Sequence, residues 1–240
     1  MSDRPRLALL NASHEIEHTQ RNFRRELDAD LAEFALTREQ YPDGFDYDGF
    51  VVTGSASSVY WDEPWLPETR EWVGEAIDRG IPALGICFGH QLLADVLGGT
   101  VEDMGEYELG YRVVERTEAG REDPLHAGLD EEFYVFTSHS DAVTELPPGA
   151  TLTAQNEYGI HGFRQGDVFT MQSHPEYDIE TAESVAKGKE DEDYVSDEQL
   201  AAVLADVTEA NCSRAAETKR VFDGFLSHVE AVRTTATAGD

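Results

Sequence analysis

The sequence predicts an α/β fold: an open, mostly parallel sheet with helices on both faces and antiparallel strands added at its side. Three observations carry this. Over residues 6–97, β-rich runs alternate with stretches of helical spacing. Two of those runs stop at Gly-containing turns, at Gly54-Ser55 and at Gly85–Gly89. From residue 111 to 172, short β-rich runs succeed one another through Gly, Pro and Asn with no helix between them. Strand and helix in alternation mark a parallel sheet, and strand after strand through tight turns marks antiparallel pairing.

The elements follow in chain order. Arg6-Leu7-Ala8-Leu9-Leu10 is a buried first strand, and 17–29 a helix with scattered apolar positions. Glu33–Glu39 suggests a short strand, and Asp48–Ser55 a strand feeding a tight turn. Trp65–Arg79 has helical spacing and Gly80 at its end, the residue type that stops helices. Ile81–Gly89 reads as strand and sharp turn, then a helix over His90–Leu97 closed by Gly98-Gly99. Strands are expected at Tyr111–Arg116, Glu132–Ser138, Thr151–Gln155, Ile160–Arg164 and Val168–Gln172. Gly188–Glu198 is strongly acidic and expected to be solvated. Asp197–Val232 suits one or two helices, and 234–240 a frayed tail. No internal repeat is present. Residues 1–240 are expected to form one domain, with a core over about 6–180 and the acidic stretch and terminal helices over 188–233.

Charge narrows the function classes. Asp and Glu number 49 against 18 Lys and Arg, a net charge of -31, and Lys187, Lys189 and Lys219 are the only lysines. Such a surface repels phosphate backbones and anionic bilayers, so neither nucleic acid nor membrane is an expected partner. Extreme acidity with so few lysines suits a protein working in high salt, where ions screen the self-repulsion. No run approaches the ~20 apolar residues of a membrane span. The N-terminal apolar run is too brief for a secretion signal, so a cytoplasmic protein is expected. Cys87 and Cys212 do not make a disulfide framework, and no CxxC pair suggests zinc.

The chemistry centres on Gly85-Ile86-Cys87-Phe88-Gly89, which has the spacing of a nucleophile elbow with Cys in place of Ser. A nucleophile at a sharp strand-to-helix turn sits in strained backbone, and flanking glycines let the chain pass. The following helix aims its N-terminus at the sulfur, which favours thiolate. The Phe88 N–H is placed to hold an oxyanion. A thiol nucleophile needs a base, and Ser173-His174-Pro175-Glu176 offers one at a strand end. Glu176 can orient the imidazole of His174.

Gly85–Ala94 and Gln172–Glu176 resemble the two signature segments of class I glutamine amidotransferases. Val52-Thr53-Gly54-Ser55 is similar to that family's oxyanion turn, and Ser138-His139-Ser140-Asp141 to its Ser-His-x-Asp segment. The resemblance covers roughly residues 6–176. It implies a flavodoxin-like sheet and a Cys87–His174–Glu176 triad that cleaves the γ-amide of glutamine through a γ-glutamyl thioester, releasing ammonia. It further implies an oxyanion site at Gly54, Ser55 and Phe88, and substrate contacts from Gln91, Gly110, Tyr111 and His139. It implies no cofactor and no metal. At the oxyanion turn this chain has Gly54-Ser55-Ala56 where many members have Gly-Gly-Pro, a variant that resembles the GMP synthase-like stand-alone branch.

No synthetase domain or phosphate loop accompanies these motifs, which points toward a stand-alone peptidase, whereas the family resemblance points toward a separate synthase subunit as partner. Two substrates stay open: free glutamine, or a γ-glutamyl peptide cut by a stand-alone peptidase. A non-catalytic regulatory module is disfavoured by the intact triad. The intracellular-protease type of cysteine hydrolase is disfavoured because Phe88, not His, follows the nucleophile. Cys212, His126 and His161 are expected to be structural, surface or hydrogen-bonded residues. His14-Glu15-x-Glu17-His18 lacks the HExxH spacing of a metal helix. Trp61, Trp65 and Trp72 are expected in packing or at the pocket rim.

Overall fold

The computed structural model describes residues 4–190 and 192–238. Its strands are β1 (Arg6–Asn11), β2 (Asp30–Ala35), β3 (Gly49–Val52), β4 (Ala83–Ile86), β5 (Thr100–Arg116), β6 (Glu132–Glu145), β7 (Thr151–Asn156), β8 (Gly159–Gln165) and β9 (Val168–Met171). Its helices are α1 (Ile16–Glu26), α2 (Leu66–Asp78), α3 (Phe88–Val96), α4 (Glu118–Glu122), α5 (Ile179–Lys187), α6 (Asp197–Asp206), α7 (Glu209–Ala215) and α8 (Arg220–Ala238).

The strands form one sheet in the order β2-β1-β3-β4-β9-β8-β7-β5-β6. The first five are parallel, and β8, β7, β5 and β6 continue antiparallel from β9. The parallel part reads as continuous apolar runs because both faces are covered. Successive residues of β1 serve opposite layers. Leu7 and Leu9 pack with Phe23 of α1 and Phe222, Phe225 and Val229 of α8. Ala8 and Leu10 join Trp72 and Val73 of α2 and Leu92 and Leu93 of α3. Each fully buried Leu or Phe contributes about 1.5–3 kcal/mol. A third cluster joins Tyr107, Leu109, Tyr111 and Phe136 to Ala182, Ala186, Val195 and Val203.

Several elements differ from expectation. The strand suggested at Glu33–Glu39 is Asp30–Ala35, followed by a 3-10 turn that ends at Glu39 with φ 55°. β5 and β6 are far longer than their β-rich cores, because irregular register between Thr100 and Val101 and between Asp103 and Glu108 breaks the alternation that marks a strand. Helix α5 is an addition, opened by the Asp178 carboxylate accepting from Thr181 N. The terminal region holds three helices rather than one or two. The expected frayed tail is helical through Ala238, its last turns carrying Thr234 and Thr235 hydroxyls that donate to the carbonyls of Glu230 and Ala231. Residues 239–240 lie outside the described residues. Among the described residues no helix is long and apolar enough to cross a membrane.

Candidate active site

Three neighbouring parallel strands deliver the site from their C-terminal ends, where open α/β sheets bind ligands. β3 ends in Thr53-Gly54-Ser55, β4 runs into Cys87, and β9 leads through Gln172 and Ser173 to His174. Cys87 has φ 53° and ψ -107°, a backbone conformation rare for a side-chain-bearing residue. The flanking glycines explain how this is accommodated. A Cβ on Gly85 would lie 2.4 Å from the Gly89 carbonyl oxygen, and one on Gly89 would lie 2.2 Å from that of Val52. The start of α3 is therefore pressed directly onto β4 and β3. Phe88 opens α3, so its N–H is one of the first-turn donors with no partner inside the helix.

His174 is held by its neighbours on every side. Its backbone N–H donates to Phe136 O at 2.8 Å, its Nδ1 lies 2.8 Å from Glu176 Oε1, and its ring stacks on Tyr177 at 4.1 Å. Arg25 of α1 donates to the Glu176 carbonyl at 2.5 Å and to Asp178 at 2.6 Å, tying the loop to the layer below. Burial disfavours the imidazolium. The Glu176 carboxylate, with which it hydrogen-bonds, and the Cys87 sulfur beside it outweigh that and push His174 up to about 10. Gly54 closes the group from β3: a Cβ there would sit 2.9 Å from His174 Cε1 and 3.6 Å from Cys87 Cβ. Cys87, His174 and Glu176 are thus together and buried, and Gly54 and Ser55 line the same cavity.

The cavity measures about 460 Å³. Gln91 and His139 also line it, and the Gln91 amide nitrogen and both His139 ring nitrogens are engaged by the protein. Gln91 Nε2 donates to Asp141 O (2.9 Å) and Gln172 Oε1 (3.1 Å). His139 places Nδ1 at 2.9 Å from Asp141 O and Nε2 at 2.5 Å from Glu108 Oε2. Gly110 and Tyr111, expected to contact substrate, lie elsewhere. Gly110 backs onto Val203 of α6, and Tyr111 stacks on Tyr134 in the third cluster. The irregular register before Glu108 offsets β5, and its contribution to the cavity is Tyr107.

Other residues enter that the sequence reading did not assign to the site. Ser138 turns its carbonyl toward Cys87 Sγ at 3.9 Å, and its hydroxyl lies 3.2 Å from that of Tyr107. Asp141 accepts from Ser58 Oγ (2.5 Å) and Tyr60 Oη (2.7 Å), clamping the loop that follows Gly54-Ser55. His14 lies 3.0 Å from Ser57 Oγ, and Glu15 and His18 are further lining residues, while Trp61, expected in packing or at the rim, also borders the cavity. Lys189 and Glu192 reach the cavity from the stretch expected to be solvated. The adjacency of Tyr177 to His-Pro-Glu was a usable signal, whereas nothing in the sequence marks Tyr107.

Glu108, His139 and His161 are all buried, with potential ligand atoms within 4.8 Å of one another. Burial pushes the Glu108 carboxyl up, but the hydrogen bond with His139 and the His161 imidazole 3.1 Å away outweigh it and hold it well below the usual carboxylate range. Asn156 Nδ2 donates to its other oxygen at 2.6 Å. His126 is neither at the surface nor part of this group. It is buried, stacks on Phe133, and burial lowers it to about 4. Cys212 sits on α7 beside the Tyr111 hydroxyl. Trp65 packs on Phe88 and Trp72 on Phe45. A more open concavity of about 660 Å³, bordered by Arg4, Arg24 and Arg25, lies at the other end of the strands.

Residues 9–187 match the family described as glutamine amidotransferase class-I. A GMP synthase (glutamine-hydrolyzing) of Thermomicrobium roseum is 39% identical over 129 residues, 53% of this chain and 23% of that protein. Its namesake in Pyrobaculum aerophilum is 42% identical over 132 residues, 52% of this chain and 23% of that one. The matched segment thus spans under a quarter of these relatives' length. Among solved structures, a glutamine amidotransferase from Thermotoga maritima has a TM-score of 0.76 at 21% identity, covering 94% of this chain and 99% of that one. One from Methylobacillus flagellatus has a TM-score of 0.77 at 20% identity, covering 95% of each. These likenesses establish the fold, and with well over half of its length inside the family match, this chain belongs to the class-I glutamine amidotransferases.

Proposed function

We propose that the protein hydrolyses the γ-amide of glutamine, with Cys87 as nucleophile, His174 as proton carrier and Glu176 as its orienting partner. The observation that carries this is a buried imidazole held 2.8 Å from a carboxylate on one side and facing the elbow sulfur on the other. The attacking form of a cysteine is the thiolate. Its sulfur adds to the γ-carbonyl carbon, and the oxygen becomes an oxyanion held by the N–H groups of Phe88 and the Gly54-Ser55 turn. His174 gives its proton to the departing nitrogen, so ammonia leaves and a γ-glutamyl thioester remains. Neutral His174 then takes a proton from water, which attacks the thioester, and glutamate departs as Cys87 returns to thiolate. An ammonia-accepting synthase subunit is the partner this reading calls for.

A second reading, cleavage of γ-glutamyl peptides by the same steps, is favoured by the cavity's size. About 460 Å³ lies in the range of sites that hold drug-sized ligands, more than one amino acid fills. Release of ammonia from glutamine and of amine from a γ-glutamyl dipeptide, each compared with Cys87→Ser in high salt, tests both. Cys87-dependent ammonia supports the first reading, and dipeptide cleavage with little glutamine turnover supports the second. Turnover retained in Cys87→Ser overturns the nucleophile assignment.

A further inference from the structure

We propose that Lys189 and Glu192 bind the free α-amino-acid end of the substrate, Lys189 taking its α-carboxylate and Glu192 its α-ammonium. The inference deepens the γ-glutamyl hydrolase reading and rests on it. Both residues lie beyond the segment that matches the family, which ends at residue 187.

The electrostatics of the cavity motivate it. Its described lining includes Glu15, Asp141, Glu176 and Glu192, and Lys189 is the one Lys or Arg among the described lining residues. A substrate carboxylate entering such a cavity meets repulsion unless a cation receives it. In a chain with net charge -31 and three lysines, one of those lysines stands in this wall. Its side chain is only 16% exposed, and its ammonium lies 3.0 Å from Glu192 and 5.0 Å over the Tyr107 ring. Burial opposes the charge, but Tyr107 and Glu192 outweigh it and hold Lys189 above its ordinary value. The ammonium is therefore present at any working pH.

Position supports the same assignment. Tyr107 joins Lys189 to the nucleophile, since its hydroxyl lies 3.2 Å from Ser138 Oγ and the Ser138 carbonyl lies 3.9 Å from Cys87 Sγ. Lys189 and Cys87 thus line one cavity, linked through Tyr107 and Ser138. The segment is tied down beyond them: Tyr194 donates to Asp103 at 3.2 Å, Gln199 Nε2 to Tyr107 O at 3.3 Å, and Val195 is buried. Glu192 is 46% exposed, so the Lys189–Glu192 pair contributes little by itself and is readily exchanged for two pairs with a zwitterion. The end recognised is common to glutamine and γ-glutamyl conjugates, so the assignment is independent of the leaving group.

The test is steady-state kinetics with L-glutamine and a γ-glutamyl dipeptide. Inhibition constants are measured alongside for glutaramate, which lacks the ammonium, and 4-aminobutanamide, which lacks the carboxylate. Lys189→Met is expected to raise KM and the glutaramate constant about ten- to a hundred-fold, the worth of a charged hydrogen bond. It should leave 4-aminobutanamide binding and kcat nearly unchanged, with Lys189→Arg restoring most of the loss. Glu192→Gln is expected to show the reverse pattern between the two analogues. Cys87-dependent turnover with KM indifferent to Lys189→Met overturns this inference and leaves the hydrolase reading standing. Absence of Cys87-dependent turnover overturns the hydrolase reading. Protection of Cys87 from iodoacetamide by glutaramate then decides the carboxylate site alone, and protection equal in wild type and Lys189→Met rejects it.

Discussion

The carboxylate of Asp141 accepts a 2.7 Å hydrogen bond from the phenol of Tyr60, and its second oxygen accepts one from Ser58. Asp141 stands on β6, whereas Tyr60 and Ser58 follow the Gly54-Ser55 turn, so a strand beyond the parallel core sets the proposed oxyanion loop. Burial and this bond push Tyr60 up to about 12, keeping it a donor across the working range. Asp141→Ala is expected to lower kcat about 10²-fold by loosening that loop. It is also expected to cost about 1–3 kcal/mol of stability. Alkylation of Cys87 should continue at its wild-type rate, since sulfur and imidazole are untouched. Turnover, denaturant melts and alkylation on the same variant check all three.

Gly54 and Gly89 both resist a side chain, with different consequences. At Gly54 the added methyl meets the edge of the His174 ring, so Gly54→Ala is expected to keep its fold and lose about 10²-fold in kcat. At Gly89 it meets the Val52 backbone, which cannot rotate away, and Gly89→Ala is expected to lose about 3 kcal/mol or more of stability. Thermal melting beside turnover separates the two, and equal effects on melting would contradict the packing described.

Glu176→Gln removes the charge that holds His174 protonated. The His174 value should fall from about 10, and the basic limb of the pH–rate profile should move down with it. Turnover is expected to drop about 10²–10⁴-fold. For stability the sign is set by a folded value above the ordinary 6.5. The contribution is complete below about 6.5 and is lost as pH rises through about 10. Melts at alkaline pH should therefore weaken the wild type more than Glu176→Gln. A superimposable pH profile for the two proteins would make Glu176 a bystander.

With a net charge of -31, the folded chain repels itself, and salt relieves this over a Debye length of about 10 Å at 0.1 M. The melting temperature is expected to rise steeply from low salt to molar salt. A flat dependence would count against a surface suited to high salt.

The elbow at Cys87 was legible in the sequence because backbone strain leaves a local mark: the Gly85 and Gly89 that permit φ 53° at Cys87 stand within the same few residues. His174 and Glu176 were legible for the same reason, their spacing being local. Gln91 and His139 line the cavity, and their hydrogen bonds run to Asp141, Gln172 and Glu108. Gly110 and Tyr111 do not line the cavity, because a register irregularity, invisible to pattern reading, decides which residue of β5 faces it. Lys189 was hidden in a stretch whose average charge predicted solvation, although it is one of three lysines in the chain. Average polarity describes a segment, and a single cation can reverse what the segment does.

The β4–β9 pairing decides when Cys87 and His174 meet as the chain folds. The two strands lie side by side in the sheet, but everything from α3 to β8 is made between them along the chain. Closing so long a loop is entropically costly, and such non-local parallel contacts slow folding. Cys87 and His174 therefore remain apart in a nascent or partly folded chain and meet only when the intervening excursion is in place. Incompletely folded molecules lack the assembled cavity around Cys87, and the change in its alkylation rate is a clock for the last stage of refolding.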